Sequence, residues 1–82
     1  MLDAPARLAK RVLSLGNLHG QRSKDGVTLK ISQEDLASFL GVSRQVVNQY
    51  LQDWKSRGWV ALGRGSVVVR NEAALKGAAQ KS

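Results

Sequence analysis

The sequence predicts an α+β fold with a core of three helices, a small antiparallel sheet and a short C-terminal helix. Two short helical patterns meet at Gly41, and a third helical pattern precedes them. Two β-rich runs flank the tripeptide Gly63-Arg64-Gly65, which is typical of a hairpin. With 82 residues the chain can bury one modest core, so we expect a single domain over residues 1–82.

The composition excludes several classes of protein. The chain has no cysteine, which excludes disulfides and thiolate metal sites, and its one histidine, His19, lacks neighbours for a metal site or a catalytic base. No apolar run approaches the ~20 residues that a membrane span needs. The formal net charge of +7 and the pI of about 10.6 favour a polyanionic partner, although charge alone does not separate a nucleic-acid binder from a merely basic protein.

The first helix is predicted to begin at Asp3, which can cap it, with Pro5 tolerated in its first turn. We expect it to end at Leu15 or Leu18, because an apolar stripe of helical spacing runs that far: Leu8, Val12 and Leu15, with Leu18 beyond. Three basic residues lie off this stripe and are interpreted as a solvated face rather than as DNA contacts: Arg7, Lys10 and Arg11.

The sheet is predicted to have three strands. Residues 16–26 are rich in glycine and polar residues and should form a loop that ends in the turn signal Asp25-Gly26. Residues 27–31 alternate between apolar and polar and predict the first strand, while residues 59–62 and 66–69 predict the hairpin. Asn71 is then expected to cap a last helix from Glu72 to about Ala79.

Between about residues 32 and 57 the chain is predicted to form two helices joined by a tight turn. Ser32 can cap the first of them, Gln33–Leu40, and Ser43 can cap the second, Arg44 to about Arg57. Gly41 stands where the first helix must stop, at a position that favours a residue able to adopt a positive φ.

The second of these helices sorts into an apolar face and a polar face. The apolar face can be buried and consists of Val47, Tyr50, Leu51 and Trp54. The polar face consists of Arg44, Gln45, Asn48, Gln49, Gln52 and Lys55. Arg pairs with guanine, and Asn or Gln with adenine, so these side chains are the ones that read base edges. The alternative is a solvated face, but such faces usually carry Glu–Lys pairs, which are missing here, so we predict that this helix reads DNA.

The spacing of Leu36-Ala37, Leu40-Gly41-Val42-Ser43, Val47 and Tyr50 is similar to that of a bacterial helix-turn-helix. The run LASFLGVSRQVVNQYLQDWKSRGWV, followed by Gly-Arg-Gly, resembles the C-terminal winged-helix domain of the cyclic-AMP receptor/FNR family of transcription regulators. The resemblance extends from about Asp3 to Leu75 and is most specific in GVSRQVVNQYL. It implies a winged helix-turn-helix with the helix-turn-helix at about 32–57 and the wing at about 59–70.

In the family the base-reading positions carry a pattern like S-R-E-x-x-x-R, which stands here as Ser43-Arg44-Gln45-Val46-Val47-Asn48-Gln49. Arg44 matches and should bond a guanine, whereas Gln45 and Gln49 replace the usual Glu and the second Arg. We therefore predict a DNA site that departs from the family's common half-site at the bases read by these two glutamines. The predicted base-reading residues are Arg44, Gln45, Asn48 and Gln49.

A second set of residues is predicted to contact phosphates. Serines and free N–H groups at helix starts can bind phosphate, aided by the helix dipole, and an arginine at the wing tip can do the same. The predicted phosphate-contacting residues are Ser32, Gln33, Ser43, Gln52, Lys55, Arg64 and Ser66.

The resemblance also implies partners that lie outside these residues. The family couples such a domain to an N-terminal sensor barrel and a dimerisation helix. We expect no cofactor in this chain, and a cyclic nucleotide or other effector bound by an N-terminal domain. We expect the full-length protein to be a homodimer with double-stranded DNA and RNA polymerase as partners. We expect no association with a membrane and a location in the bacterial cytoplasm. The chain is then either a fragment of a larger regulator, which we favour, or a small stand-alone protein.

Two other functions are open alternatives. A winged helix can bind RNA or another protein, but a protein-binding version should expose aromatic or aliphatic anchors on the second helix, where Gln, Asn and Arg stand instead. An enzyme would need paired carboxylates, a metal cluster or a phosphate loop, and the sequence shows none of these patterns. We therefore predict a DNA-binding domain without enzymatic activity.

Overall fold

A computed structural model describes residues 3–80, and in this range the chain forms four helices and a four-stranded antiparallel sheet. The helices are α1 (Ala4–His19), α2 (Gln33–Leu40), α3 (Arg44–Ser56) and α4 (Glu72–Gln80). The strands are β1 (Gln21–Ser23), β2 (Gly26–Leu29), β3 (Val60–Gly63) and β4 (Ser66–Val69), in the order β1-β2-β4-β3 across the sheet. The predicted α+β fold is confirmed.

The segment between the first helix and the helix-turn-helix was predicted incorrectly. Helix α1 continues to His19, and residues 21–23 form strand β1, which pairs with β2 in the register Arg22↔Val27. The prediction of a loop over 16–26 and of three strands is therefore wrong. All three residues of β1 are exposed, so the strand has no apolar alternation by which a sequence pattern could reveal it.

Strand β2 packs closely against β4 at its first residue. Gly26 has φ 130°, and a Cβ at this position would overlap the backbone carbonyl of Val69. The strand ends at Leu29 rather than at the predicted Ile31, because the Ile31 N–H already turns back to the Leu29 carbonyl at 3.1 Å. Glycine at position 26 therefore permits the central strand pairing of the sheet.

The core lies between the helices and the inner face of the sheet. Leu8 and Val12 of α1, Leu36 of α2, Leu51 of α3 and Leu75 of α4 are fully buried. Strands β2 and β4 contribute their alternate residues to the same cluster: Val27, Leu29, Val67 and Val69. Within residues 3–80 no polar or charged residue is buried, so the apolar contacts hold the four helices and the sheet together.

Helix α4 begins as predicted. The Asn71 side chain accepts a hydrogen bond from the Ala74 N–H at 3.1 Å, and the helix ends at Gln80, one residue after the predicted end. Glu72 in its first turn also meets Arg22 of β1, with Nη1 and Oε1 2.7 Å apart. This hydrogen bond lowers the pKa of the Glu72 carboxyl from its usual value. The exposed pair ties the edge of the sheet to α4 but adds little to stability.

We expect Gly26→Ala to destabilise the domain more than Gly41→Ala does. Both glycines have a positive φ, but a Cβ at Gly41 meets nothing within 4 Å, whereas one at Gly26 overlaps backbone atoms of β4. Backbone strain alone should lower the free energy of unfolding by about 1 kcal/mol at Gly41. Strain and steric overlap together should lower it by about 3 kcal/mol or more at Gly26. The free energy of unfolding in urea measures both, and equal losses would contradict the close packing of β2 against β4.

Candidate nucleic-acid interface

Helices α2 and α3 both begin at a serine cap. The Ser32 hydroxyl accepts a hydrogen bond from the Asp35 N–H at 3.0 Å, and the Ser43 hydroxyl accepts one from the Val46 N–H at 3.2 Å. Each cap satisfies one of the free N–H groups of the first helical turn. The predicted caps are confirmed, and the bounds of α2 are those predicted.

The turn between the two helices has the geometry of a Schellman motif. Gly41 is left-handed, with φ 70° and ψ 32°. Its N–H donates to the Ser38 carbonyl at 3.3 Å, and the Val42 N–H donates to the Ala37 carbonyl at 3.1 Å. These two bonds end α2 and fix the direction in which the chain enters α3.

A side chain from α1 closes the same turn. The Arg7 guanidinium donates to the carbonyl of Leu40, the last residue of α2, at 2.7 Å. Next to it, the Arg11 guanidinium lies 5.4 Å from the centre of the Phe39 ring. Arg7 is exposed, as predicted for a solvated face, but its guanidinium also holds a carbonyl of α2, a role that the sequence analysis did not assign. No local pattern could indicate this bond, since its partners lie 33 residues apart.

The inner face of α3 fixes the orientation of the helix. Val47, Leu51 and Trp54 are 1%, 0% and 3% exposed, as predicted, whereas Tyr50 is only partly buried. The predicted polar face is exposed along its whole length: Arg44, Gln45, Asn48, Gln49, Gln52 and Lys55. Since the buried residues prevent rotation of α3 about its axis, the backbone positions from which the polar side chains project are fixed.

The starts of α2 and α3 face the hairpin between β3 and β4 across a groove. The residues of this groove that carry polar or charged side chains are Ser32, Gln33, Glu34, Arg44, Arg64 and Ser66, and we call it the wing groove. A shallow depression beside it is lined by Gln33, Arg44, Gln45 and Asn48. The structure thus brings together five of the predicted site residues around the wing groove and two more next to it.

Other predicted site residues lie outside the wing groove. Gln49, Gln52 and Lys55 follow along the exposed face of α3, and Ser43 lies at the cap of α3. The hairpin turn itself consists of Arg64 and Gly65, closed by the pair Gly63↔Ser66, so Arg64 is exposed at its tip. The polar face of α3 and the basic tip of the hairpin therefore lie on the same side of the domain.

Glu34 belongs to this site although the sequence analysis did not select it. Its Oε1 lies 3.5 Å from Nη1 of Arg44, and the two side chains are 73% and 67% exposed. The only local signal was an acidic residue in the first turn of α2, which is ordinary for any helix. Its contact with Arg44 depends on the turn between the helices, which a pattern in one helix cannot reveal.

In residues 3–80 no three metal-binding side chains of the types His, Cys, Asp and Glu lie together. Over the same range no helix has the length and apolar character to cross a membrane.

Comparison with known proteins places the chain among a group of transcription regulators. A family model described as the Crp-like helix-turn-helix domain matches residues 6–78. A CRP-like cAMP-activated global transcriptional regulator of Mycobacterium tuberculosis is 36% identical over 75 residues, which are 89% of this chain and 34% of the relative. The chain therefore spans about a third of the length of this curated relative.

Solved structures share the fold over nearly the whole chain. A CRP/FNR-family transcriptional regulator of Thermus thermophilus superposes with a TM-score of 0.90 at 22% identity, over 98% of this chain and 42% of that one. The CO-dependent transcription factor CooA of Carboxydothermus hydrogenoformans gives 0.88 at 26% identity, over 95% and 37%. The catabolite activator protein of Thermus thermophilus gives 0.78 at 31% identity, over 92% and 33%.

We expect Arg7→Ala to destabilise the domain by about 1.5 kcal/mol, because it removes a charge-assisted hydrogen bond to the carbonyl that ends α2. Lys10→Ala is the matched control, since Lys10 is an exposed cation on the same helix. The free energy of unfolding in urea measures both variants. Equal stability of the two would show that the Arg7 bond does not hold the turn.

Proposed function

Because the chain belongs to the family of Crp-like helix-turn-helix domains, we propose that it binds double-stranded DNA with α3 in the major groove. Sequence-specific DNA binding in bacterial transcription regulators is the function of this family. The observation that carries the proposal is the pairing of a buried apolar face and an exposed amide-rich face on one helix. The major groove is wide enough to admit that helix.

Four residues of α3 are assigned to base reading. Arg44 donates two hydrogen bonds to O6 and N7 of a guanine, and Gln45, Asn48 and Gln49 pair with adenines. All four are exposed, and three of them surround the depression next to the wing groove. The N-terminal half of α3 is therefore the part that approaches the base edges.

The phosphate contacts are assigned to two places along α3. At its start, Ser43 caps the helix, and Ser32, Gln33, Arg64 and Ser66 line the neighbouring wing groove. Nearer its C-terminal end, Gln52 and Lys55 lie further along the same exposed face. Contacts at both places hold the helix in register on the duplex without reading sequence.

The whole protein is proposed to be a regulator that responds to an effector. The curated relative is described as cAMP-activated, and one structural neighbour as CO-dependent. We place effector binding and dimerisation in a part of the protein outside this chain, with RNA polymerase as a further partner and the bacterial cytoplasm as the location. The domain itself has no catalytic role in this proposal.

Use of α3 for binding RNA or another protein is less well supported. Protein-binding surfaces are anchored by aromatic and aliphatic side chains. In residues 3–80 the exposed large hydrophobic residues are Leu18 and Phe39, which lie on α1 and α2. The outer face of α3 thus offers hydrogen-bonding groups and charge, which suit base edges better than an apolar partner.

Selection from randomised duplex DNA should recover a half-site that differs from the family's common one at the bases read by Gln45 and Gln49. Gln49→Arg should then shift one selected position to guanine, because arginine prefers that base. Gln52→Arg is the matched control, since it adds the same charge on the same helix and should raise affinity without changing the selected sequence. Recovery of the family's common half-site by the unmodified chain would remove the proposed roles of Gln45 and Gln49.

Arg64→Ala should weaken binding to selected and scrambled duplexes by the same factor, about 3- to 10-fold at low salt, because a phosphate contact carries no sequence information. The unmodified domain is expected to bind one half-site at about micromolar or weaker levels, with strong salt dependence. The variant should lower the salt slope by about 0.9.

Fluorescence anisotropy titrations at several salt concentrations measure these quantities. Arg70→Ala is the control, since Arg70 is exposed but outside the wing groove. A loss confined to the selected duplex would assign Arg64 to base reading instead.

A further inference from the structure

We propose that Glu34 determines how strongly this surface discriminates between DNA sequences. Its carboxylate holds Arg44 for a base edge and opposes binding that uses phosphates alone. This inference rests on the proposed function of α3, and it adds an acidic residue to a surface otherwise described by its basic and amide groups.

Glu34 is an acidic residue in a groove that otherwise has basic, neutral and apolar lining residues. It lines the wing groove together with Arg44 and Arg64, and it is the one carboxylate among the residues that line this groove. Its Oε1 lies 3.5 Å from Nη1 of Arg44. A negative charge is thus set among the groups assigned to phosphate binding, where a surface selected only for affinity would carry a neutral or basic residue.

The chemistry of the guanidinium group allows Arg44 to serve both partners. Arginine has five N–H donors, and a guanine edge uses two of them. A third donor can remain with the Glu34 carboxylate, 3.5 Å away, which gives a small preference for some rotamers of Arg44 without occupying the pair of donors that faces the base. The specific complex therefore retains the Arg44–Glu34 contact.

Glu34 opposes complexes in which Arg44 binds a phosphate instead of a base. A phosphate drawn to Arg44 in the wing groove must approach the carboxylate beside it, and like charges repel. Arg44 would then have to leave Glu34, or the phosphate would have to stay away from Arg44. Either way, Glu34 weakens non-specific complexes more than the specific one, which is the form that discrimination takes in recognition.

The chain provides a matched control at the next residue. Asp35 is also an exposed carboxylate in the first turn of α2, so its removal costs a similar favourable interaction with the helix dipole. Asp35 does not line the wing groove. Glu34→Gln and Asp35→Asn therefore make the same change of charge on the same helical turn, and only the first acts on the groove.

The test measures the affinities of the unmodified chain and both variants for a selected half-site duplex and for a scrambled duplex of equal length. Fluorescence anisotropy at several salt concentrations gives the affinities, and thermal melting confirms that the two variants are folded alike. Glu34→Gln should bind the scrambled duplex about 5-fold more tightly and the selected duplex less than about 2-fold more tightly. Its salt slope on scrambled DNA should steepen by about 0.9, as Arg44 gains a phosphate.

Asp35→Asn should change both affinities by one factor, so that the ratio between the two duplexes stays constant. An unchanged ratio in Glu34→Gln, or an equal fall of the ratio in both variants, would overturn the role of Glu34 while leaving the proposed function intact. If the unmodified chain itself binds both duplexes equally, the proposed function fails, and the inference fails with it.

Discussion

Burial of one face of α3 is the constraint on which the interface depends. Val47, Leu51 and Trp54 insert into the core formed by the other helices and the sheet. A helix held along one stripe cannot turn about its axis, so the polar residues on its opposite face must point outward. Loss of packing there would misplace the side chains of the outer face before it unfolded the domain. Hydrogen bonds to bases would then weaken first, because they require side chains placed within fractions of an ångström.

The turn before α3 adds a second constraint, which fixes the direction of the helix rather than its rotation. The left-handed Gly41 closes α2 by backbone bonds, and Arg7 holds the last carbonyl of α2 from a different helix. Three helices therefore meet at one short segment of backbone. This arrangement makes α1 a support of the interface although it contributes none of the residues assigned to DNA contact.

Local features of this fold could be predicted from the sequence, and features that depend on distant contacts could not. The caps Ser32, Ser43 and Asn71, the bounds of α2 and the buried face of α3 follow from side chains within a few residues of one another. Strand β1 was not predicted because it is held by backbone pairing with β2 and one exposed ion pair, and it has no buried side chain. The roles of Arg7 and Glu34 could not be predicted from the sequence because each depends on a partner in another helix. The base and phosphate contacts of the candidate site remain predictions.

Strand β1 also limits how one copy of the domain can associate with another. It forms one edge of the sheet, spans three residues, and carries Arg22, which pairs with Glu72 of α4. The exposed edge of a sheet is a template on which a foreign strand can add, and a short edge with a charged side chain offers few successive backbone groups for that. Aggregation by strand addition at β1 is therefore disfavoured.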